Sequence, residues 1–433
     1  MIRILFALLA ALLFSLPARA LEIQEVTSPG GLKAWLVETH DIPFTALEIS
    51  FRGGASLDAP GKRGAINLMT ATLEEGAGTM DAQGFAEATE ALAAQFRFNV
   101  GDDTLDISAR FLTENRDASV TLLREALVNP RFDQTAIDRV RAQVLSIIAS
   151  EAQDPNDIAG ETFGKMVYGE HPYASSINGT AESVRTLTRE DMFEAKSRVM
   201  ARDRVVISAV GDISAAELGP LLDTLLGELP ETGAPMPEHV TPRLDGRVKV
   251  VEYDSPQSVV MFAGPGLKMD DPDFFAAYVL NQILGAGGFS SRLMDELREK
   301  RGLTYGVYTY LVPKDYAELW MGSFSASNEK VPEAIALVKS EWAKAATGAV
   351  TESELRDAKT YLTGAYPLRF DGNGQIAGIL TGMQMSGLPI DYIETRNEKV
   401  EAVSAEDVAR VAKRLLSPES LTFTVVGKPE GLE

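Results

Sequence analysis

The chain reads as an α+β protein built from two duplicated domains, each a mostly antiparallel β-sheet with helices packed on one face. Three observations predict this. Segments that alternate apolar and polar residues, the period of a half-buried strand, are followed by stretches with helical spacing. Past the middle of the chain, after a proline-rich stretch, the order of elements restarts. Both halves also close alike: a helical stretch at residues 191–200 leads to an apolar run ending at Gly211, and one at residues 405–416 leads to a run ending at Gly427.

In order, residues 32–38 (LKAWLVE) and Phe44–Arg52 (FTALEISFR) alternate as strands. A Gly/Pro-rich turn over residues 53–64 opens a helix at residues 65–73, which Gly76 and Gly78 end. Residues 103–111 (DTLDISARF) form a strand, and residues 115–128 and 133–151 form helices. Residues 231–246 hold Pro235, Pro237 and Pro242 without periodicity, as a linker would. Beyond it, residues 248–253 and 258–263 are strands. Asp271 and Pro272 supply a cap and a first-turn proline for a helix running to Leu284. A helix over residues 291–300 stops at Gly302. The strand at residues 303–311 follows, with Tyr305, Val307 and Thr309 on one face and Thr304, Tyr308 and Tyr310 on the other. The expected division is therefore 1–20, a segment removed on export; 21–230, the first domain; 231–246, the linker; and 247–433, the second domain.

Residues 1–20 carry Arg3, a 13-residue uncharged and mostly apolar run, and Ala18-Arg19-Ala20, the layout of a secretory signal peptide. The run is too short to span a bilayer. The expectation is an exported, periplasmic protein with no membrane anchor once the segment is removed. Composition narrows the chemistry. With 45% hydrophobic and 24% charged residues the chain is an ordinary globular one, which excludes collagenous and disordered classes. Lys and Arg number 41 against 62 Asp and Glu, so the net charge is −21, and loss of Arg3 and Arg19 takes it to about −23. Nucleic acid and anionic membrane surfaces would be repelled. The 0 cysteines rule out disulfides, thiolate metal sites and cysteine nucleophiles.

The three histidines, His40, His171 and His239, have no second ligand at i+3 or i+4. The carboxylates at Asp270, Asp271 and Asp273, and at Asp154 and Asp157, suit helix starts, and Arg298, Lys300 and Arg301 suit a helix end. Gly285, Gly287 and Gly288 read as a helix–helix turn. Spacing alone declares no catalytic constellation.

The segment GGASLDAPGKRGAINLMTATLEEGAGT, residues 53–79, resembles the pitrilysin/insulinase family of zinc peptidases. In that family the helix after the turn carries H-x-x-E-H, two zinc-binding histidines and a glutamate that activates water. The frame lies over GAINLMTA, so those positions fall on Asn67, Thr70 and Ala71. A third ligand, a glutamate on a later helix, falls on Ile147 of VLSIIASEAQDP. All four are lost, and the resemblance implies no metal and no cofactor in this chain. Glu74, Glu75 and Glu151 lie one turn away and offer a different geometry without imidazole. By contrast FSSRLMDELREKRGLTYGVYTYL, residues 289–311, resembles the signature of the family's C-terminal half, in which an arginine and a tyrosine seven apart bind substrate at a partner's zinc. Here these are Arg298 and Tyr305, two hydrogen-bond donors suited to a developing oxyanion. HPYASSINGT, residues 171–180, extends the likeness.

The resemblance implies a non-catalytic subunit that is inactive alone. It would pair as a heterodimer with a homologous, zinc-bearing subunit and act on unstructured peptides. The alternatives it leaves are a catalytically dead assembly scaffold and a stand-alone peptide-binding protein.

Overall fold

The computed structural model describes residues 21–432, so the expected signal peptide at residues 1–20 lies outside the described residues. Two mostly antiparallel sheets carry the chain. The first holds β1 (Gln24–Thr27), β2 (Lys33–Glu38), β3 (Phe44–Arg52), β6 (Gln95–Val100), β7 (Thr104–Leu112) and β8 (Val205–Gly211), in the order β1-β2-β8-β3-β7-β6. β4 (Gly76–Ala77) and β5 (Met80–Asp81) form a small separate hairpin. The second sheet holds β9 (Val248–Glu252), β10 (Gln257–Pro265), β11 (Thr304–Lys314), β12 (Ala317–Ser327) and β13 (Thr422–Gly427), in the order β11-β12-β10-β13-β9. In each sheet the last strand of its half, β8 or β13, lies between an antiparallel and a parallel neighbour. The α+β class and the repeated order hold.

One face of each sheet is covered by helices of its own half. Leu47, Ile49, Phe51, Leu105 and Ile107 pack against Ile66, Leu123, Ile137 and Leu222 in the first. Phe262, Trp320, Phe324 and Phe423 pack with Trp342, Val411 and Leu280 in the second. The opposite faces are covered by exchange. The Asn373–Met385 helix of the second half lies on the first sheet, where Ile376, Ala377 and Leu380 meet Trp35, Val37, Ala46 and Val210. The Pro155–Tyr168 helix of the first half lies on the second sheet, where Phe163 and Val167 meet Ala263 and Leu319. Polar stitches fix the register: Gln384 donates to the Ile207 carbonyl at 2.9 Å, and Arg52 donates to the Gln384 carbonyl at 2.9 Å. With both faces covered, β3 has no exposed position, so its alternation is blurred.

Two hairpin tips also meet. Lys314 donates to Asp102 at 2.5 Å and stacks 4.1 Å over the Tyr173 ring; the Asp315 amide donates to Asp103 at 3.3 Å. The Tyr173 hydroxyl donates to Asp103 as well. Burial pushes the Asp103 carboxyl and the Tyr173 phenol up. Tyr173, in the HPYASSINGT segment, thus helps to join the halves. Residues 231–247 have no regular structure, yet they are tied down: the Val240 amide donates to Tyr316 at 2.8 Å, and the Arg243 amide to Val167 at 2.9 Å.

Some local expectations change. The helix expected to open at Asp271 and Pro272 begins at Phe274 with Asp273 as its N-cap residue. Asp271 and Asp273 pair instead with Arg414 and Arg410 of the closing helix, at 2.6 and 2.7 Å. Asp154 does cap its helix, accepting from the Asn156 amide at 2.7 Å.

Candidate functional site

The degenerate metal position is built first by backbone constraint. Gly64 has φ 92, and a Cβ there would sit 2.5 Å from the Asn178 carbonyl oxygen, so only glycine allows this approach. Asp58 accepts from the amides of Gly64 and Ile66, both at 2.8 Å, and so starts the Ala65–Ala71 helix. Burial pushes the Asp58 carboxyl up, while these amides pull it down. On this helix Ile66, Leu68, Met69 and Thr70 are buried, whereas Asn67 and Ala71, one turn apart, are half-exposed.

Each of the replaced motif positions, the three ligands and the base, is bonded internally or offers no polar side chain. Asn67 donates to Asn178 at 2.7 Å, and Asn178 donates to Glu151 at 2.5 Å. The Thr70 hydroxyl turns back to the Ile66 carbonyl at 2.7 Å. Ala71 has no polar atom, and Ile147 is exposed. Of the neighbouring carboxylates, Glu75 pairs with Arg139 and Glu151 is held by Asn178; burial pushes the Glu74 carboxyl up. Among the described residues no three His, Cys, Asp or Glu gather where they could hold a metal ion. The residues present do not fit a zinc ion: there is no imidazole, and the amide and hydroxyl that remain are committed internally.

Of the histidines, His40 lies between Asp212 at 2.5 Å and Glu38 at 3.0 Å, and these hydrogen bonds raise its pKa. His239 reaches Glu318 at 3.1 Å. His171 accepts from the Tyr173 amide, and burial lowers its pKa.

The second position is the Arg/Tyr segment. The stretch expected as a regular helix is π-wound over Met294–Glu299, with the Lys300 amide donating to the Asp295 carbonyl at 2.9 Å. Such widened turns are rare and concentrate at functional sites. Lys300 and Arg301 are consumed by Glu296, whereas Arg298 is not: its nearest carboxylate, Glu299, is 3.5 Å away, and its guanidinium lies 4.4 Å over the Phe289 ring. Arg292, four residues after Gly288 in the matched motif, donates to both oxygens of Glu354 at 2.6 and 2.8 Å, anchoring this segment to the Glu352–Ala365 helix.

Tyr305 stands on β11, the edge strand of its sheet. Its expected face was that of Val307 and Thr309. The register instead shifts between Thr304 and Val307, a β-bulge that inserts one residue and reverses the alternation before it. Thr304 is therefore buried with Val307 and Thr309, and its hydroxyl donates to the Ser325 carbonyl at 2.6 Å. Tyr305 is 87% exposed, free of core packing. The bulge had no sequence signal beyond Gly306, and the anchoring role of Arg292 could have been sought in the S-S-R-L match.

Arg298 and Tyr305 line one open cavity of about 820 Å³, together with Tyr308, Lys330 and Asn156. Asn156 also lines a neighbouring cavity of about 370 Å³, whose wall includes Glu151 and Ser176 beside the degenerate metal position. The arrangement offers two donors to a ligand in open solvent and no resident nucleophile activator.

Residues 186–362 match the family model described as Peptidase M16 inactive domain. A Helicobacter pylori protein named Non-peptidase homolog YmxG is 28% identical over 426 residues, 98% of each chain. A Schizosaccharomyces pombe protein named as a probable mitochondrial-processing peptidase subunit beta is 25% identical, covering 72% of this chain and 71% of its own. The crystal structure of a peptidase M16 inactive domain from Pseudomonas fluorescens superposes with a TM-score of 0.88 at 30% identity, over 95% of this chain and 100% of that one. With the fold, the matched segment and the replaced ligand positions together, the chain belongs to the M16, or pitrilysin, peptidase family as a non-peptidase member.

Proposed function

We propose that this chain is the non-catalytic subunit of an exported, periplasmic heterodimeric zinc peptidase. A homologous partner carrying H-x-x-E-H supplies zinc and general base, and this chain supplies Arg298 and Tyr305 to an unstructured peptide at the partner's site. The observation that carries the reading is that the exposed Tyr305 and the half-buried Arg298 line one cavity. A tyrosine kept for packing would be buried, and Arg298 meets a carboxylate only at 3.5 Å, more loosely than Lys300 and Arg301 meet Glu296. Export is supported by the signal-like residues 1–20. Assembly with a homologue is supported by the relative named as a subunit of a processing peptidase.

The test is reconstitution. The purified chain alone should leave a fluorogenic peptide intact, and mixing it with an H-x-x-E-H homologue from the same source should give cleavage. Arg298→Ala or Tyr305→Phe should then lower turnover by about 10²–10³, the loss from removing one oxyanion-type donor, with little change in assembly. Full activity with both substitutions present would point to the assembly scaffold. Peptide binding by this chain without any gain in cleavage would point to the stand-alone binder.

A further inference from the structure

A second large cavity, of about 740 Å³, lies among helices of the second half and shares no residue with the Arg/Tyr cavity. Its walls come from the Phe274–Asn281 helix, the Asn373–Met385 helix and the Tyr392–Glu401 helix. Phe274 and Tyr278 lie nearly parallel, with ring centroids 6.1 Å apart and planes 9° apart, and both line the cavity. Gly378 and Gly382, one turn apart on one helix face, line the cavity, and a Cβ at either would meet nothing within 4 Å. The space beside this helix face is thus open and not closed by side chains.

The electrostatics of this cavity run against the rest of the molecule. The chain carries −21, yet the cavity is lined by Arg369 and Arg396 and by no Asp or Glu. Arg396 is only 4% exposed. Its Nη1 donates to the Leu362 carbonyl at 2.7 Å and to the Asn397 side chain at 2.8 Å, and its guanidinium lies 4.4 Å from the Tyr366 ring centroid. Among the described residues neither arginine has a carboxylate at ion-pair distance. Neutral carbonyls and ring faces repay only part of the cost of burying a cation, so an anion brought to it would gain a desolvated partner.

We infer that this cavity binds a small aromatic carboxylate, its ring against Phe274 and Tyr278 and its carboxylate toward Arg396 and Arg369. The volume is within the range of small-molecule sites, and the pattern, apolar walls with a few convergent polar groups, is theirs. The inference is independent of the proposed peptidase role, because no step of it uses Arg298, Tyr305 or a partner.

The test uses three probes with one body and different heads: 4-phenylbutyrate, 4-phenyl-1-butanol and 4-phenylbutylamine, titrated calorimetrically into the full mature chain. The acid should bind, the alcohol at least about tenfold more weakly, and the amine not detectably. Gly382→Leu fills the cavity from an unstrained helical position and should abolish binding of the acid. Arg369→Gln and Arg396→Gln should each weaken it about tenfold or more, the range of a lost charge-assisted hydrogen bond. Arg396→Gln also loses the bond to Leu362; if that variant fails to fold, Gly382→Leu and the acid–amine comparison still decide. Equal binding of acid and amine, no acid binding up to millimolar concentration, or acid binding unchanged by Gly382→Leu would each overturn the inference.

Discussion

Glu354→Gln isolates the clamp that holds the Arg298 segment. Glu354 accepts both nitrogens of Arg292 at 2.6 and 2.8 Å and also the Thr351 amide at 2.8 Å, and together these lower its pKa from 4.5 to about 2. A folded value below the unfolded one means that the stabilisation is fully present above pH 4.5 and is lost as pH falls through about 2. At 1.36 kcal/mol per tenfold, that gap corresponds to roughly 3 kcal/mol. The pair is partly open to water, so screening reduces this to about 1–2 kcal/mol. Glutamine keeps an acceptor but loses the charge. Urea unfolding of both proteins should therefore differ by about 1–2 kcal/mol at pH 7, and the difference should shrink steadily between pH 4.5 and 2.5. The π-wound segment should also show faster amide exchange in the variant. A difference that stays constant across this pH range would refute the linkage, because it would then come from shape and not from charge.

Three further outcomes follow from the geometry. Lys314→Ala removes the cation shared by Asp102 and the Tyr173 ring, and should cost about 1–3 kcal/mol, with exchange accelerated at the two hairpin tips; unchanged exchange there would deny the tips a joining role. By NMR titration His40 should change charge above 6.5 and His171 below it. The sign differs accordingly: the His40 contribution is present below 6.5 and fades as pH rises, whereas the His171 contribution is present above 6.5 and fades as pH falls; a reversed order of midpoints would contradict both environments. After dialysis against buffer containing zinc and then metal-free buffer, elemental analysis should find well under one zinc per chain, since Asn67, Thr70, Ala71 and Ile147 offer no ligand set. About one tightly held zinc would show that ligands elsewhere had been overlooked.

The two-sheet class and the repeat of element order were legible because alternation and the helix–strand–glycine endings are properties of local sequence, whereas β1, β6 and β12 and the strand order within each sheet were not. The lost ligand positions were legible because i, i+3 and i+4 spacing fixes their shared helix face. The helix exchange was not: the 155–168 and 373–385 stretches have the spacing of any amphipathic helix, and nothing local says which sheet will receive the apolar side. The face of Tyr305 was misread because period-two reasoning assumes an unbroken ladder, and one inserted residue at Thr304–Gly306 inverts it. The aromatic cavity was invisible for a similar reason. Phe274, Tyr366 and Arg396 are far apart in sequence and acquire meaning only when three helices bring them together.

The exchanged helices bear on synthesis and ancestry. Until the second half has been delivered, the first sheet has one face without its cover, since the Asn373–Met385 helix follows β8 by about 160 residues. A first half that folds before the second arrives has Trp35, Val37 and Val210 open to solvent or to a holding protein. A gene fragment ending near residue 230 should yield an aggregation-prone product, and separately made halves should recover only when mixed, each returning the other's helix. Reciprocal exchange between two like units is also the geometry of a swapped homodimer. A single-domain ancestor that first traded this helix with its own copy, and was later joined head to tail by gene fusion, would arrive at this chain without inventing a new contact.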